Sequence, residues 1–385
     1  MLTRKGSTSQ EADLVGVVIR ADRFSAAFTR ILLQVDGLYV WAVCRTGLPL
    51  DLPRVTRGAL VRIAGRWRMF RGHYEVEVRA INSVSQAAFW PGGRSGRSFE
   101  LLGLRSLVIQ EMHAMFREWG YVPVDSPSIV SDWALGDTQP LEVQFYDRKA
   151  FLSISNMLYH QMLASNGFNR FYEIGKLFRK ETPSTTRKLA EFTIVDISQV
   201  GVGIDAIMSD FEELILRSVS VLERQSNLVP IVDDIEFDTV SWDQLVAHAG
   251  GGGGKGAQLN AKCRQFLEDN YRSFVWVVGF PVEKRPFYTK ASNGVSHDCQ
   301  LWYRGRNYLV AGSEVETDPD LLEKRIESKN SKAERYAEFL DVASAGMPLM
   351  SMAGMGIERF LSMVIQGTVA ADHVVQPRYQ NGRIF

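Results

Sequence analysis

The stretch WPGGRSGRS at residues 90–98 separates two regions with different hydrophobic periods. Its glycines, proline and serines suit neither a helix nor a strand interior. Before it, the segments LVGVVIRA, TRILLQVDG, LYVWAVCR, ALVRIAGRWRMF and HYEVEVRAI are rich in β-branched and aromatic residues, and several alternate apolar with polar. That is the period of a half-buried strand. After it, Leu101, Leu104, Leu107, Val108, Met112, Met115, Phe116 and Trp119 recur at helical spacing, with Gly120 as a stop. A chain of 385 residues exceeds one ordinary core. The expected division is a disordered lead-in over 1–12, a barrel over 13–87, a linker over 88–98 and a larger domain over 99–385.

Five short strands in the first region suggest a small barrel, for which an OB-fold is the natural candidate. VDGLYV carries a hairpin signal, with Asp-Gly at the turn. Arg62, Arg66, Arg68 and Arg71 interleave with Trp67, Phe70 and Tyr74. That pattern fits a nucleic-acid face or, equally, a solvated strand face. In the second region helices and strands mix without a regular βαβ repeat. Helices are expected over NMLYHQMLASNG and DAIMSDFEELILRSVSVLERQ, and strands over 170–201, near 274–278 and over 299–312. An α+β domain with a mostly antiparallel sheet and flanking helices is expected. AHAGGGGGKGAQ (247–258) lacks the Ser or Thr after its lysine that a phosphate loop needs, and follows a helical pattern. It reads as a plain glycine loop.

Charge is balanced, 44 basic against 44 acidic residues, so no net field draws the chain to nucleic acid or membrane. Cys44, Cys263 and Cys299 form no C-x-x-C pair, which argues against a disulfide framework or a cysteine-rich zinc site. No apolar run reaches ~18 residues, and the polar N-terminus lacks the stretch of a signal peptide. A cytoplasmic protein is expected.

Two segments carry candidate chemistry. FRKETPSTTRKLAEF (178–192) joins two strand patterns through a Pro/Ser/Thr loop. Arg179 and Glu181 share one strand face, Arg187 and Lys188 close the loop, and Phe192 lies on the returning strand. Such a hairpin could clamp a triphosphate between cations and stack a flat ring, as ATP would require. A solvated charged hairpin is the plain alternative. AGMGIERFLSMVIQG (353–367) runs from a glycine-rich strand into an amphipathic helix, with Arg359 early in that helix.

Together these residues resemble the class II aminoacyl-tRNA synthetases. The family's second motif matches Arg179, Glu181, Arg187, Lys188, Glu191 and Phe192, with Lys188 where histidine is usual. The third, Gly-x-Gly-x-x-Arg, matches Gly354, Gly356 and Arg359. The first matches the 101–119 helix and Pro127. The barrel, RSFELLGLRS and the closing VVQPRYQNGRIF narrow the likeness to the aspartyl/asparaginyl branch. The resemblance implies that Arg179 holds the α-phosphate and the substrate carboxylate, and that Glu181 contacts the adenine amino group. Phe192 would stack under the ring, Arg187 and Lys188 would hold the outer phosphates, and Arg359 the γ-phosphate. It further implies ATP and Mg2+ as cofactors, an acyl-adenylate intermediate, a tRNA or other acceptor and a homodimer.

The departures cluster in the amino-acid pocket. Ser155 remains, but Met157 replaces a glutamine and His160 stands in for a lysine. Leu135 falls where a glutamate is expected and Val315 where an arginine reads the side-chain carbonyl. Asp196 matches the ammonium-facing aspartate. The metal-holding acids align with Gln300 and Tyr308, leaving Asp298 and Glu316 as nearby substitutes. MPLMSMAG adds three methionines near the pocket. Losing three charged contacts implies roughly 4–9 kcal/mol, about three to six decades in affinity for aspartate. The expected function is therefore adenylation of another carboxylic or amino acid and transfer to a nucleophile, possible in specialised metabolism. A genuine asparaginyl- or aspartyl-tRNA synthetase and a non-catalytic synthetase-like protein are the alternatives.

Overall fold

The computed structural model describes residues 11–25, 28–35, 38–45, 55, 58–70, 73–86, 96–132, 139–181, 185–225, 231–232, 234–250, 259–329 and 331–375. The Asp-Gly turn, Arg71, Leu135, the glycine run 251–258 and the C-terminal residues 376–385 lie outside them. The chain divides into two compact units, residues 1–107 with 225–229, and residues 108–224 with 230–385.

The first unit is built from β1 (Glu11–Ser25), β2 (Phe28–Val35), β3 (Leu38–Arg45), β4 (Ala59–Phe70) and β5 (His73–Gln86). They close a barrel in the order β1-β2-β3-β5-β4. Alternation drives the closure: β1 and β4 bury every second residue along much of their length. Val18, Ile31, Leu33, Ala42, Val61, Ile63 and Val76 fill the interior, the larger side chains each worth about 1.5–3 kcal/mol when fully buried. The arginines of the proposed nucleic-acid face are matched by carboxylates of the same barrel. Arg62 bonds Asp13 at 2.8 Å, Arg66 bonds Glu11 at 3.2 Å, and Arg68 bonds Glu75 at 2.8 Å. Trp67 packs on the core, while Phe70 and Tyr74 are exposed. The sequence reading missed the pairing because the acids arrive from β1 and β5.

Helix α1 (Gly96–Glu118) starts five residues earlier than its apolar stripe. In the second unit follow β6 (Val122–Pro123), β7 (Ile129–Val130), β8 (Glu142–Phe145), β9 (Arg148–Leu152), α2 (Met157–Ser165), β10 (Arg170–Phe178) and β11 (Glu191–Val200). Then come α3 (Ile204–Gln225), β12 (Phe237–Ser241), α4 (Trp242–His248), α5 (Ala261–Asn270) and β13 (Phe274–Val278). The chain continues with β14 (Ala291–Ser292), β15 (Val295–Ser296), β16 (Asp298–Tyr303), β17 (Asn307–Glu314), α6 (Pro319–Ser328), α7 (Ala337–Gly346), β18 (Met350–Gly356) and α8 (Ile357–Val364).

Eight strands form one sheet in the order β12-β13-β16-β17-β18-β11-β10-β6. All its pairings are antiparallel except β12–β13 and β10–β6. The interior strand β11 buries seven consecutive residues, Thr193 to Gln199. It is covered on both faces, which explains why polar Thr193, Asp196 and Ser198 sit inside. Ser241 caps α4 with a capping box through Gln244. Among the described residues no helix is long and apolar enough to cross a membrane.

Candidate active site

The β10–β11 hairpin pairs from Arg170↔Gln199 to Phe178↔Glu191. Arg179 is the first residue past that ladder, and its N–H donates to Ala190 O at 2.8 Å. Its guanidinium lies over the Phe192 ring, 5.2 Å from the centroid, and donates Nε to Ile154 O at 3.2 Å. Thr185 and Lys188 exchange backbone hydrogen bonds at 3.0 Å, making a tight turn that presents Arg187 and Lys188. Lys188 Nζ stands 3.9 Å from Glu181. On the neighbouring strand β18 the chain passes through Gly354 and Gly356 straight into α8. Arg359 falls in the first turn, lies 5.2 Å over the Tyr308 ring, and donates Nη1 to Tyr308 O at 3.0 Å.

These groups converge. Arg179, Glu181, Arg187, Lys188, Phe192 and Arg359 all line one cavity of about 200 Å³. Its other lining includes Ser155, Met157, Asp196, Tyr288, Ser313 and Met352. Two segments 180 residues apart in sequence thus become one site because β11 and β18 are neighbours in the sheet.

Asp196 sits mid-strand opposite Glu173 on β10 and Gly354 on β18. It is 1% exposed, and among the described residues the one side-chain donor beside it is the buried amide of Asn156, too poorly placed for a well-formed hydrogen bond to either carboxylate oxygen. Burial pushes its pKa up to about 7, with Glu173 adding to the rise and His160 and Arg179 opposing it. Any side chain at 354 would collide with its Oδ1, so glycine is required there by close approach. A buried carboxylate so weakly satisfied, on the wall of a cavity, carries an electrostatic penalty in the empty site.

Several residues fall elsewhere than the sequence alone suggests. His160 is fully buried and does not line the cavity. Its Nδ1 meets Ser198 Oγ at 2.9 Å and its Nε2 meets Glu173 at 3.3 Å. Glu173 also accepts from Ser126 N and Oγ at 3.1 and 2.6 Å. Burial raises the Glu173 pKa, but these bonds outweigh it and hold the carboxylate low. His160 therefore supports the wall from behind. Val315 is also off the wall. It belongs to an apolar cluster with Phe287, Tyr288, Met350 and Met352, against which Met157 and Leu158 pack. Leu135 lies outside the described residues.

Asp298 and Glu316 do not form a metal pair. Neither lines the cavity. Asp298 is bridged to Arg285 and accepts from Ser296 Oγ and Phe280 N. Glu316 faces Arg325 at 3.4 Å and caps the N–H groups of Thr317 and Asp318. Gln300 is buried and accepts from Trp302 Nε1 at 3.2 Å. Among the described residues no three His, Cys, Asp or Glu side chains cluster to hold a metal. The positions expected to hold magnesium thus carry Gln300 and Tyr308, and the nearby Asp298 and Glu316, off the cavity wall, are each taken by an arginine. Sequence reasoning passed over Arg285, which lies on the cavity wall, 4.7 Å over the Phe280 ring. Only its position in RPFY, a cation among apolar residues, hints at burial.

Residues 92–378 match the family of class II tRNA synthetases (D, K and N). The chain belongs to that family. A family member at 30% identity over 277 residues is the aspartate–tRNA(Asp/Asn) ligase of Methanopyrus kandleri, with 69% of this chain and 64% of the relative aligned. The chain thus spans just under two thirds of that relative's length. The aspartate–tRNA(Asp) ligase of Thermoplasma volcanium is 26% identical over 349 residues, covering 87% of this chain and 76% of the relative. The asparaginyl-tRNA synthetase of Pyrococcus horikoshii, complexed with asparaginyl-adenylate, superposes with a TM-score of 0.77 at 20% identity, over 97% of this chain and 96% of that one. The Entamoeba histolytica asparaginyl-tRNA synthetase gives 0.78 at 15% identity, over 98% and 97%. At these identities the likeness establishes the fold: an N-terminal OB-type barrel and the family's α+β domain.

Proposed function

We propose that the chain is an ATP-dependent, AMP-forming ligase that adenylates an amino or carboxylic acid other than aspartate and asparagine. One observation carries the reading. The nucleotide-type groups and the buried, weakly satisfied Asp196 share a single cavity, while the positions expected to read a polar side chain are apolar or withdrawn. In the reaction, a carboxylate oxygen of the acid attacks the α-phosphorus of ATP. The new O–P bond forms as the bond to the bridging α–β oxygen breaks, and pyrophosphate leaves with that electron pair. Arg179 is the group suited to neutralise the α-phosphate and to bring the carboxylate to it, and Arg187, Lys188 and Arg359 to hold the outgoing phosphates. Positioning and charge neutralisation supply most of the rate. Asp196 takes the ammonium of an amino acid. A nucleophile then displaces AMP from the acyl carbon.

The named relatives favour a second reading, a genuine aspartyl- or asparaginyl-tRNA synthetase. Pyrophosphate exchange against a panel of acids separates the two. Aspartate and asparagine are expected to drive exchange about a thousandfold or more below the best acid, matching the lost charged contacts. Efficient exchange with either, followed by tRNA acylation, would establish the second reading. Exchange with no acid at all would leave only a synthetase-like binding protein. A homodimer is part of the proposal: Val122, Pro127 and Ile129 lie exposed along the motif that the family uses for pairing.

A further inference from the structure

We propose that the nucleotide's triphosphate is gripped by three guanidinium groups on one cavity wall, Arg179, Arg285 and Arg359, in place of a magnesium ion ligated by the protein. This rests on the adenylating role given above. It concerns how that site holds its polyanion.

Three observations converge. First, the two positions where the resemblance expects metal-holding acids carry Gln300 and Tyr308, and Gln300 is turned to Trp302. Second, the three carboxylates among the described lining residues have other surroundings. Glu181 faces Lys188, Glu358 accepts Thr193 N–H at 2.8 Å, and Asp196 stands between Glu173 and Gly354. Third, cations replace what the acids would have supplied. Five cationic side chains line the cavity against those three carboxylates.

Arg285 completes the cluster. Its side chain is 5% exposed, with Asp298 as its counter-charge behind and the Phe280 ring at its flank. That is a rigid mount, so little rotamer entropy is lost when a phosphate arrives. Arg359 is fixed over Tyr308 by its bond to the Tyr308 carbonyl, and Arg179 by Phe192 and Ile154 O. Tyr308 lines the same cavity as all three arginines, and although burial opposes it, the fields of Arg359, Arg179 and Arg285 lower the pKa of its phenol. Such a cluster neutralises phosphate charge directly, with fork geometry that matches phosphate oxygens. A magnesium ion riding on ATP would enter as part of the substrate and would need no protein carboxylate.

Calorimetric titration with ATP, once with excess chelator and once with magnesium, tests this. Binding in the two arms is expected to agree within about threefold. Mn2+ added to nucleotide-free protein should show only the free-ion signal by electron paramagnetic resonance. Binding confined to the magnesium arm, or stoichiometric Mn2+ uptake without nucleotide, overturns the cluster while leaving adenylation standing. Arg285→Lys keeps the counter-charge for Asp298 and so preserves folding, but removes the fork. It is expected to weaken ATP about tenfold in both arms, and unchanged affinity in a folded variant also overturns the proposal. Absence of ATP binding in both arms of the native protein would refute the adenylating role itself.

Discussion

Arg179→Ala is expected to lower ATP-dependent turnover by about two to three decades or more, with little change in the fold. The size follows from what the guanidinium would do. It is the cavity group placed to meet charge developing at the α-phosphorus, and removing one such preorganised donor costs about 100–1000-fold. The fold is spared because, among the described residues, Arg179 forms no salt bridge with a carboxylate. It donates one bond to Ile154 O and covers Phe192, together worth roughly 1–2 kcal/mol. Arg359→Ala should behave alike, since its guanidinium lies over the Tyr308 ring and donates to the Tyr308 carbonyl. Pyrophosphate exchange beside thermal melting checks both. Undiminished exchange in either variant, with a native melt, removes that arginine from the site.

The end of this cavity proposed to take the nucleotide was legible because its residues are nearly contiguous. Arg179 to Phe192 occupy one hairpin, whose strand period shows in the sequence, and Arg359 follows a glycine pair at a strand-to-helix junction. The barrel was legible for the same reason: period-two alternation over five segments. What escaped depends on pairing between distant strands. Arg62 and Arg66 looked like free cations until β1 brought Asp13 and Glu11 beside them. Asp298 looked available for a metal until Arg285, 13 residues earlier, proved to lie against it. His160 was placed in the pocket by alignment, but the α2 helix turns it inward toward Glu173 and Ser198. No local pattern encodes which face of a short helix meets a sheet.

Asp196→Asn should make the protein more stable at pH 8 while it destroys the use of any amino-acid substrate. In the folded chain burial pushes the Asp196 carboxyl up to about 7, against about 3.9 when unfolded. Between those values the folded state keeps a proton that the unfolded state has released. Stability therefore falls as pH rises through that window, and above pH 7 the full penalty stands. About three pKa units correspond to roughly 4 kcal/mol. Asparagine has nearly the same shape and cannot ionise, so it escapes the penalty. The variant should melt about 5–10 °C higher at pH 8, with the difference shrinking toward zero near pH 4. Function moves the other way. The ionised carboxylate is what an ammonium would meet, and a neutral amide there forfeits a buried charge pair, cutting exchange by about two decades or more. Native exchange should accordingly rise with pH through about 7, the pH at which Asp196 ionises, and the asparagine variant should lose that rise. A variant that melts lower at pH 8 would mean that Asp196 is already paired in the folded chain. Stabilisation with exchange intact would instead show that the substrate is a carboxylic acid without an amino group. The stability gained at pH 8 is thus a measure of the strain that this site holds ready for its ligand.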